Sequence, residues 1–250
     1  MVSRYLNSFQ PWNIGIVHGK NAHISGIERC CERLYPRCEA IIPCSGDSFG
    51  RINVTMARDK ASIDDVYLTG QLLLAMPSMR DPRFARAVIY MCAHGEDGAV
   101  GLVVNRLIGG LPCSDLLEQL GIDHDPASSI VLPNVHFGGP VETERGFVLH
   151  TRDYMADESM PINDAMALTA TVDIVRDIAR GAGPRDLVLA LGYAGWGPGQ
   201  LDGEIQENAW LSVASDDALL FDADIETKWD RAMAKIGVDA SLLSTAAGRA

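Results

Sequence analysis

No stretch of this 250-residue chain approaches the roughly 20 uninterrupted apolar residues that a membrane-crossing helix needs. No apolar run of signal-peptide type follows the first basic residue, Arg4, so a cytoplasmic protein with no membrane association is expected. Positive charge is scarce: 21 Lys and Arg stand against 33 Asp and Glu, giving a net charge of −12 and a pI near 4.8. Nucleic-acid affinity comes largely from basic side chains that neutralise phosphates, so direct nucleic-acid binding is not expected. Also missing are the phosphate-loop lysine pattern G-x-x-x-x-G-K-[ST], the dinucleotide spacing G-x-G-x-x-G and the zinc-protease motif H-E-x-x-H.

Charge and cysteine are unevenly distributed. Residues 1–60 hold eight basic and five acidic residues, whereas residues 61–250 hold 13 basic and 28 acidic ones. The leading segment carries Cys30, Cys31, Cys38 and Cys44, and its apolar residues keep neither a period of 2 nor one of 3.6. A poorly ordered extension over 1–60 and a folded domain over 61–250 are therefore expected, with Met56 an alternative start. The four thiols, with His18 and His23, are zinc-ligand types, but there is no C-x-x-C pair and two of them are adjacent. No metal is expected there. With 47% hydrophobic residues the chain can build a core without disulfides, so reduced thiols are expected.

From Gly70 onward short apolar runs alternate with amphipathic segments, the pattern of a sheet covered by helices. Residues 72–77 form the first predicted strand. Residues 87–92 and 100–105 flank the turn-rich stretch 94–98 and predict an antiparallel hairpin. Ser114 or Asp115 would cap a short helix that Gly121 closes after Leu120. Strands near 135–138 and 146–150 predict a second hairpin around Gly138, Gly139 and Pro140. Leu168, Val172, Val175 and Ile178 fall at helical spacing and predict a helix over 164–180. Residues 187–191 read as a buried strand, followed by a glycine-rich loop over 192–199 and a helix over 200–208. A strand near 210–214 and a helix over 226–236 complete the set. Hairpins followed by strand-helix units are neither strict β-α-β nor all-β, so the predicted class is α+β with α/β character, a mixed sheet in a single main domain.

A strand, glycine loop and helix over 187–208 would be an anion site through the helix N-terminus, but Asp202 and Glu204 fall in its first turn and repel phosphate. No nucleotide or other cofactor is expected. Gln200, Glu204 and Asn208 lie at i, i+4 and i+8, bracketed by Trp196 and Trp210. One helix face would then form either a small polar pocket or peptide groove, or a buried network that holds the helix against the loop. His94 and His150 sit at strand ends, and Ser78, Cys92 and Cys113 are nucleophile types that a histidine activates. Cys92 reads as a core residue and Ser78 as a loop residue. Glu96, Asp97 and Asp153 add metal-ligand types near the two histidines, although a hydrogen-bonded histidine at a strand end is the commoner case.

Several longer strings occur in a fixed order. Gly70 to Pro77 with Asp81, Pro82 and Phe84 comes first, then His94 and the run Gly98 to Asn105. Gly138 to Glu142, Gly146 to His150, and Leu191 to Trp196 with Gly199 to Leu201, Glu204, Asn208 and Trp210 follow. Together these strings resemble the YqgE/AlgH family of bacterial proteins, over residues 68 to the C-terminus. The resemblance implies a compact cytosolic domain whose mixed sheet bends into a partly barrel-like shape with helices outside. It brings no established reaction: members are uncharacterised, or called transcriptional regulators by association with alginate production. The expected function is accordingly that of a regulator acting through a protein partner or a small ligand. The alternative is a hydrolase-type or other enzyme with a pocket built from His94, Asn105, Gly138, Gly139, Pro140, His150, Gln200 and Glu204. Trp196 and Asn208 complete the candidate surface.

Overall fold

The computed structural model describes residues 67–125 and 127–238. The extension expected over 1–60, its four cysteines and Met56 lie outside the described residues. Nine strands and five helices are formed within them. In chain order these are β1 (Gln71–Ala75), β2 (Val88–Gly95), β3 (Gly98–Val103), α1 (Cys113–Gln119), β4 (Val135–Phe137), β5 (Val141–Thr151), β6 (Met160–Pro161) and β7 (Met166–Thr169). Then follow α2 (Val172–Ala179), β8 (Leu187–Trp196), α3 (Gln200–Gln206), β9 (Trp210–Ala214), α4 (Asp217–Phe221) and α5 (Lys228–Lys235). The strands make one sheet in the order β6-β7-β5-β8-β3-β2-β1-β9, with β4 also pairing β8. It curls into a half-barrel, and the class is α+β as expected. No helix among the described residues is long and apolar enough to cross a membrane.

The apolar runs are continuous because both faces of the sheet are covered. Side chains alternate between faces with period 2. Leu72, Leu74, Val88, Tyr90, Phe147 and Leu149 enter one core, closed by Leu219 and Leu220 of α4 and by Trp229, Ala232 and Met233 of α5. The intervening residues face the other way. Val148 and Leu189 meet α1 and α2 in a second core, while Leu73, Ile89 and Met91 meet Leu201 of α3, Trp196 and Trp210 in a third.

Three expectations are corrected. The helix expected over 164–180 is shorter, since Met166–Thr169 is strand β7, buried at all four positions and paired with β5. Leu168 therefore belongs to a strand; the helical spacing holds only from Val172, after Thr171 in extended conformation. The loop expected over 192–199 is largely strand, because β8 continues through Gly192 and Gly195 to Trp196 and pairs β3 there. The second hairpin is absent. β4 runs parallel to β8 and β5 antiparallel to it, and Leu191 pairs both Phe137 and Gly146, so the two strands occupy opposite edges of β8. Residues 138–140 must carry the chain from one edge to the other.

That crossing is backbone packed on backbone. A Cβ at Gly138 would lie 2.2 Å from the Gly192 oxygen, one at Gly139 2.1 Å from the Tyr193 carbonyl carbon, and one at Gly192 2.4 Å from the Gly139 oxygen. Gly139 and Gly192 also adopt φ of +155° and +72°, in the region where only glycine is unstrained. The left-handed turn at Gly192 changes the phase of β8. Leu191 faces the second core, Tyr193 packs against the first, and Ala194 and Trp196 reach the third. We expect Gly139→Ala and Gly192→Ala each to destabilise by about 3 kcal/mol or more in urea unfolding. Gly199→Ala, at a φ of +68° but with open space around it, should cost only about 1 kcal/mol.

Candidate functional site

The phase change in β8 aims Trp196 at the start of α3, and a cleft of about 700 Å³ opens there. One wall is the 78–84 loop, with Arg80, Asp81, Arg83 and Phe84; the other is α3 with Gln200, Glu204 and Glu207 just beyond its end; Pro140, Trp196 and Trp210 also line it.

Glu204 organises the α3 wall. Its Oε2 accepts from the indole Nε1 of Trp196 at 2.9 Å and of Trp210 at 2.7 Å, and its Oε1 accepts from Gln200 Nε2 at 2.9 Å. Gln200 Oε1 in turn accepts from the Gly197 amide at 3.0 Å, which ties α3 to the end of β8. The two indole rings meet edge to face, 5.8 Å apart, and Phe84 packs on Trp210 in the same way at 5.7 Å. All the donors to Glu204 are neutral, and no cation pairs with it among the described residues.

The opposite wall is held from below. Arg106 donates to the carbonyls of Arg83 at 2.6 Å and Ala85 at 2.5 Å. Asn105 accepts from the Val88 amide at 2.8 Å and donates to the Arg86 carbonyl at 2.9 Å, continuing the β ladder past the end of β3 and bracing Arg86 at a φ of +54°. Asp81 grips Arg83 through Nε and Nη2, and this pairing holds the Asp81 carboxyl below its usual range.

The ten sequence candidates are therefore divided. Pro140, Trp196, Gln200 and Glu204 share the cleft. Gly138 and Gly139 form the backbone crossing, and Asn105 fastens the loop from behind. Asn208 is not on the helix face expected from the i, i+4, i+8 spacing, because α3 ends at Gln206. It adopts a φ of +57° and terminates the helix, with the Ala209 amide donating back to the Glu204 carbonyl at 2.9 Å. His94 Nδ1 accepts from the Leu68 amide at 3.2 Å, which leaves the proton on Nε2, 3.6 Å from Asp202. His150 is fully buried: Nδ1 donates to the Thr151 carbonyl at 2.9 Å and Nε2 accepts from Thr169 Oγ1 at 2.8 Å, itself 2.7 Å from Ser159 Oγ. Burial lowers the pKa of both histidines, and neither lines the cleft.

Of the nucleophile types, Cys92 and Cys113 are buried free thiols pushed up to about 12 and about 11 by burial. Ser78 is exposed on the cleft rim with no histidine beside it in the lining. Among the described residues no group of three or more His, Cys, Asp and Glu could hold a metal ion. Sequence reasoning about chemistry passed over Arg80, Arg83 and Glu207. The signal was partly available, since Asp81, Pro82 and Phe84 stand among the strings that carry the family resemblance.

An AlgH-like family profile matches residues 72–241. A UPF0301 protein of Nitrobacter hamburgensis is 53% identical over 199 residues, covering 77% of this chain and 92% of its own length. One from Rhodopseudomonas palustris is 54% identical over 191 residues, covering 74% and 87%. The solution structure of the AlgH protein from Pseudomonas aeruginosa superposes with a TM-score of 0.61 at 40% identity, covering 78% of this chain and all of that one. A Corynebacterium diphtheriae protein with a TM-score of 0.52 and 21% identity shares the fold, over 66% of this chain and 85% of its own.

Removing the Glu204 carboxylate leaves two enclosed indole N–H groups without an acceptor, so Glu204→Ala should destabilise by about 3 kcal/mol and Glu204→Gln, which keeps one acceptor oxygen, by about 1 kcal/mol, both read from tryptophan emission in urea. A second expectation concerns acid. Burial, and next the charge of Lys228, lower the His136 pKa to about 4. The unfolded chain takes up that proton first, near pH 6.5, so stability is fully present above pH 6.5 and falls as pH drops toward 4. The loss should reach roughly 3 kcal/mol, and His136→Asn should flatten this part of the pH–stability curve.

Proposed function

The chain belongs to the AlgH-like family, and from that premise we propose that it is a non-enzymatic regulator that binds a small ligand in the cleft between the 78–84 loop and α3. The observation that carries this reading is Glu204, a carboxylate on the wall of the cleft held by three neutral donors and paired with no cation among the described residues. A charge fixed in this way is prepared to meet a ligand without reorganising. The enzyme alternative loses support because His94 and His150 are engaged elsewhere and both described thiols are buried. Direct DNA binding is disfavoured by the 28 acidic residues against 13 basic ones over 61–250. The two unbridged thiols also support a cytoplasmic location.

The test is a metabolite panel of amino acids, dipeptides, nucleotides, sugars and organic acids, added to the full-length chain while the Trp196 and Trp210 indole N–H resonances are followed. At least one class should shift both resonances saturably and be recovered unchanged. Conversion of a panel member by the chain, or saturable shifts confined to residues away from the cleft, would contradict the proposal.

A further inference from the structure

The two walls of the cleft differ in the sign of their net charge and come from different elements; on the loop wall Asp81 is taken up by Arg83, which leaves Arg80 as the net positive charge. On the loop wall, Arg80 is exposed and its side chain has no partner among the described residues. Arg83 uses Nε and Nη2 on Asp81 and lies 6.0 Å from the Phe84 ring centroid, which orients the guanidinium and leaves Nη1 unengaged. On the α3 wall, Glu204 has three of about four acceptor directions filled, which fixes its plane and leaves one open. Glu207 stands exposed one turn further along. Between the walls the lining is apolar, with Phe84, Pro140, Val141, Trp196 and Trp210.

A ligand with negative charge alone would face Glu204 and Glu207, and one with positive charge alone would face the unpaired Arg80 beside an Arg83 that Asp81 only offsets. Only a molecule carrying both charges at its two ends, with an apolar part between or beside them, is matched everywhere. Resting on the small-ligand reading above, we infer that the cleft binds a small zwitterion of the amino-acid or dipeptide class, its ammonium toward Glu204 and Glu207 and its carboxylate toward Arg80 and Arg83. The size agrees, since about 700 Å³ lies within the range of small-molecule sites. A carboxylate held rigidly by indole and amide donors does not have to reorganise to receive an ammonium, and Arg80 has its whole guanidinium available to pair a ligand carboxylate in two-pronged geometry, with Arg83 adding Nη1.

Isothermal titration of the full-length chain with alanyl-leucine, its N-acetyl derivative and its C-terminal amide tests the inference, with the Trp196 and Trp210 indole resonances reporting the place of binding. The free dipeptide should bind at these indoles, and capping either end should weaken it at least tenfold. Glu204→Gln should abolish the preference for the free amine, and Arg80→Ala the preference for the free carboxylate. Should Glu204→Gln unfold, Glu207→Gln, at an exposed position, tests the amine arm and should weaken free-dipeptide binding severalfold while leaving the N-acetyl form unchanged. Free leucine in the same titration distinguishes a single amino acid from a dipeptide. Equal binding of all three forms overturns the zwitterion assignment. So does binding of glucose, succinate or ATP at the same indoles with every zwitterion silent, which leaves the cleft itself standing. Silence of both indoles toward every probe overturns the zwitterion and the small-ligand reading together.

Discussion

Where residues 138–140 pass β8, two stretches of backbone lie closer than any side chain allows. The contact exists because β4 and β5 use opposite edges of β8 and only three residues separate them. Gly138 keeps both of its backbone hydrogen bonds there: its amide donates to the Leu191 carbonyl at 2.8 Å, and its carbonyl accepts from the Val103 amide at 2.8 Å. β8 is in this way the one strand that joins β3, β4 and β5. The phase change at Gly192 decides which side chains enter which core.

The cleft is downstream of that constraint. Without the phase change, Ala194 and Trp196 would face the core closed by α4 and α5, and the indole that reaches Glu204 would be on the wrong side of the sheet. Glu204 then joins α3, β8 and β9 through one carboxylate, receiving Trp196 from one strand and Trp210 from the other. The facing loop is secured independently by Asn105, Arg106 and the stacking of Arg86 on Trp229 at 4.4 Å. Two separately braced walls keep the cleft open with its charges apart, which is the preorganisation a ligand site needs.

Much of this was legible in the residue pattern. The β2–β3 hairpin follows from its turn residues, the Leu187 strand from its unbroken apolar run, and α5 from its periodicity. Glu204 and Gln200 share a helix face as their spacing demands. Other features were hidden for physical reasons. Four buried residues at 166–169 carry the same apolar signal whether they are helix or strand, and only pairing with β5 decides it. Gly192 looks like part of a loop when read locally, whereas its purpose is steric and lies in the distant 139–143 segment, where the Gly139 oxygen would stand 2.4 Å from a Cβ. Asn208 fits the helical spacing and yet ends the helix, because its backbone takes the left-handed conformation. His94 and His150 have the composition of a site, but backbone and hydroxyl partners occupy them. Arg80 and Arg83 belong to an irregular loop, where periodicity carries no information.

The crossing is tested most directly by amide hydrogen exchange in the native protein. If it is the constraint that the sheet and the cleft depend on, the Gly138 and Val103 amides, one in an apparent turn and one at a strand end, should exchange only through global unfolding, as slowly as Leu189 in the centre of β8. Exchange of Gly138 at the rate of an exposed turn amide, with Leu189 still protected, would contradict the account.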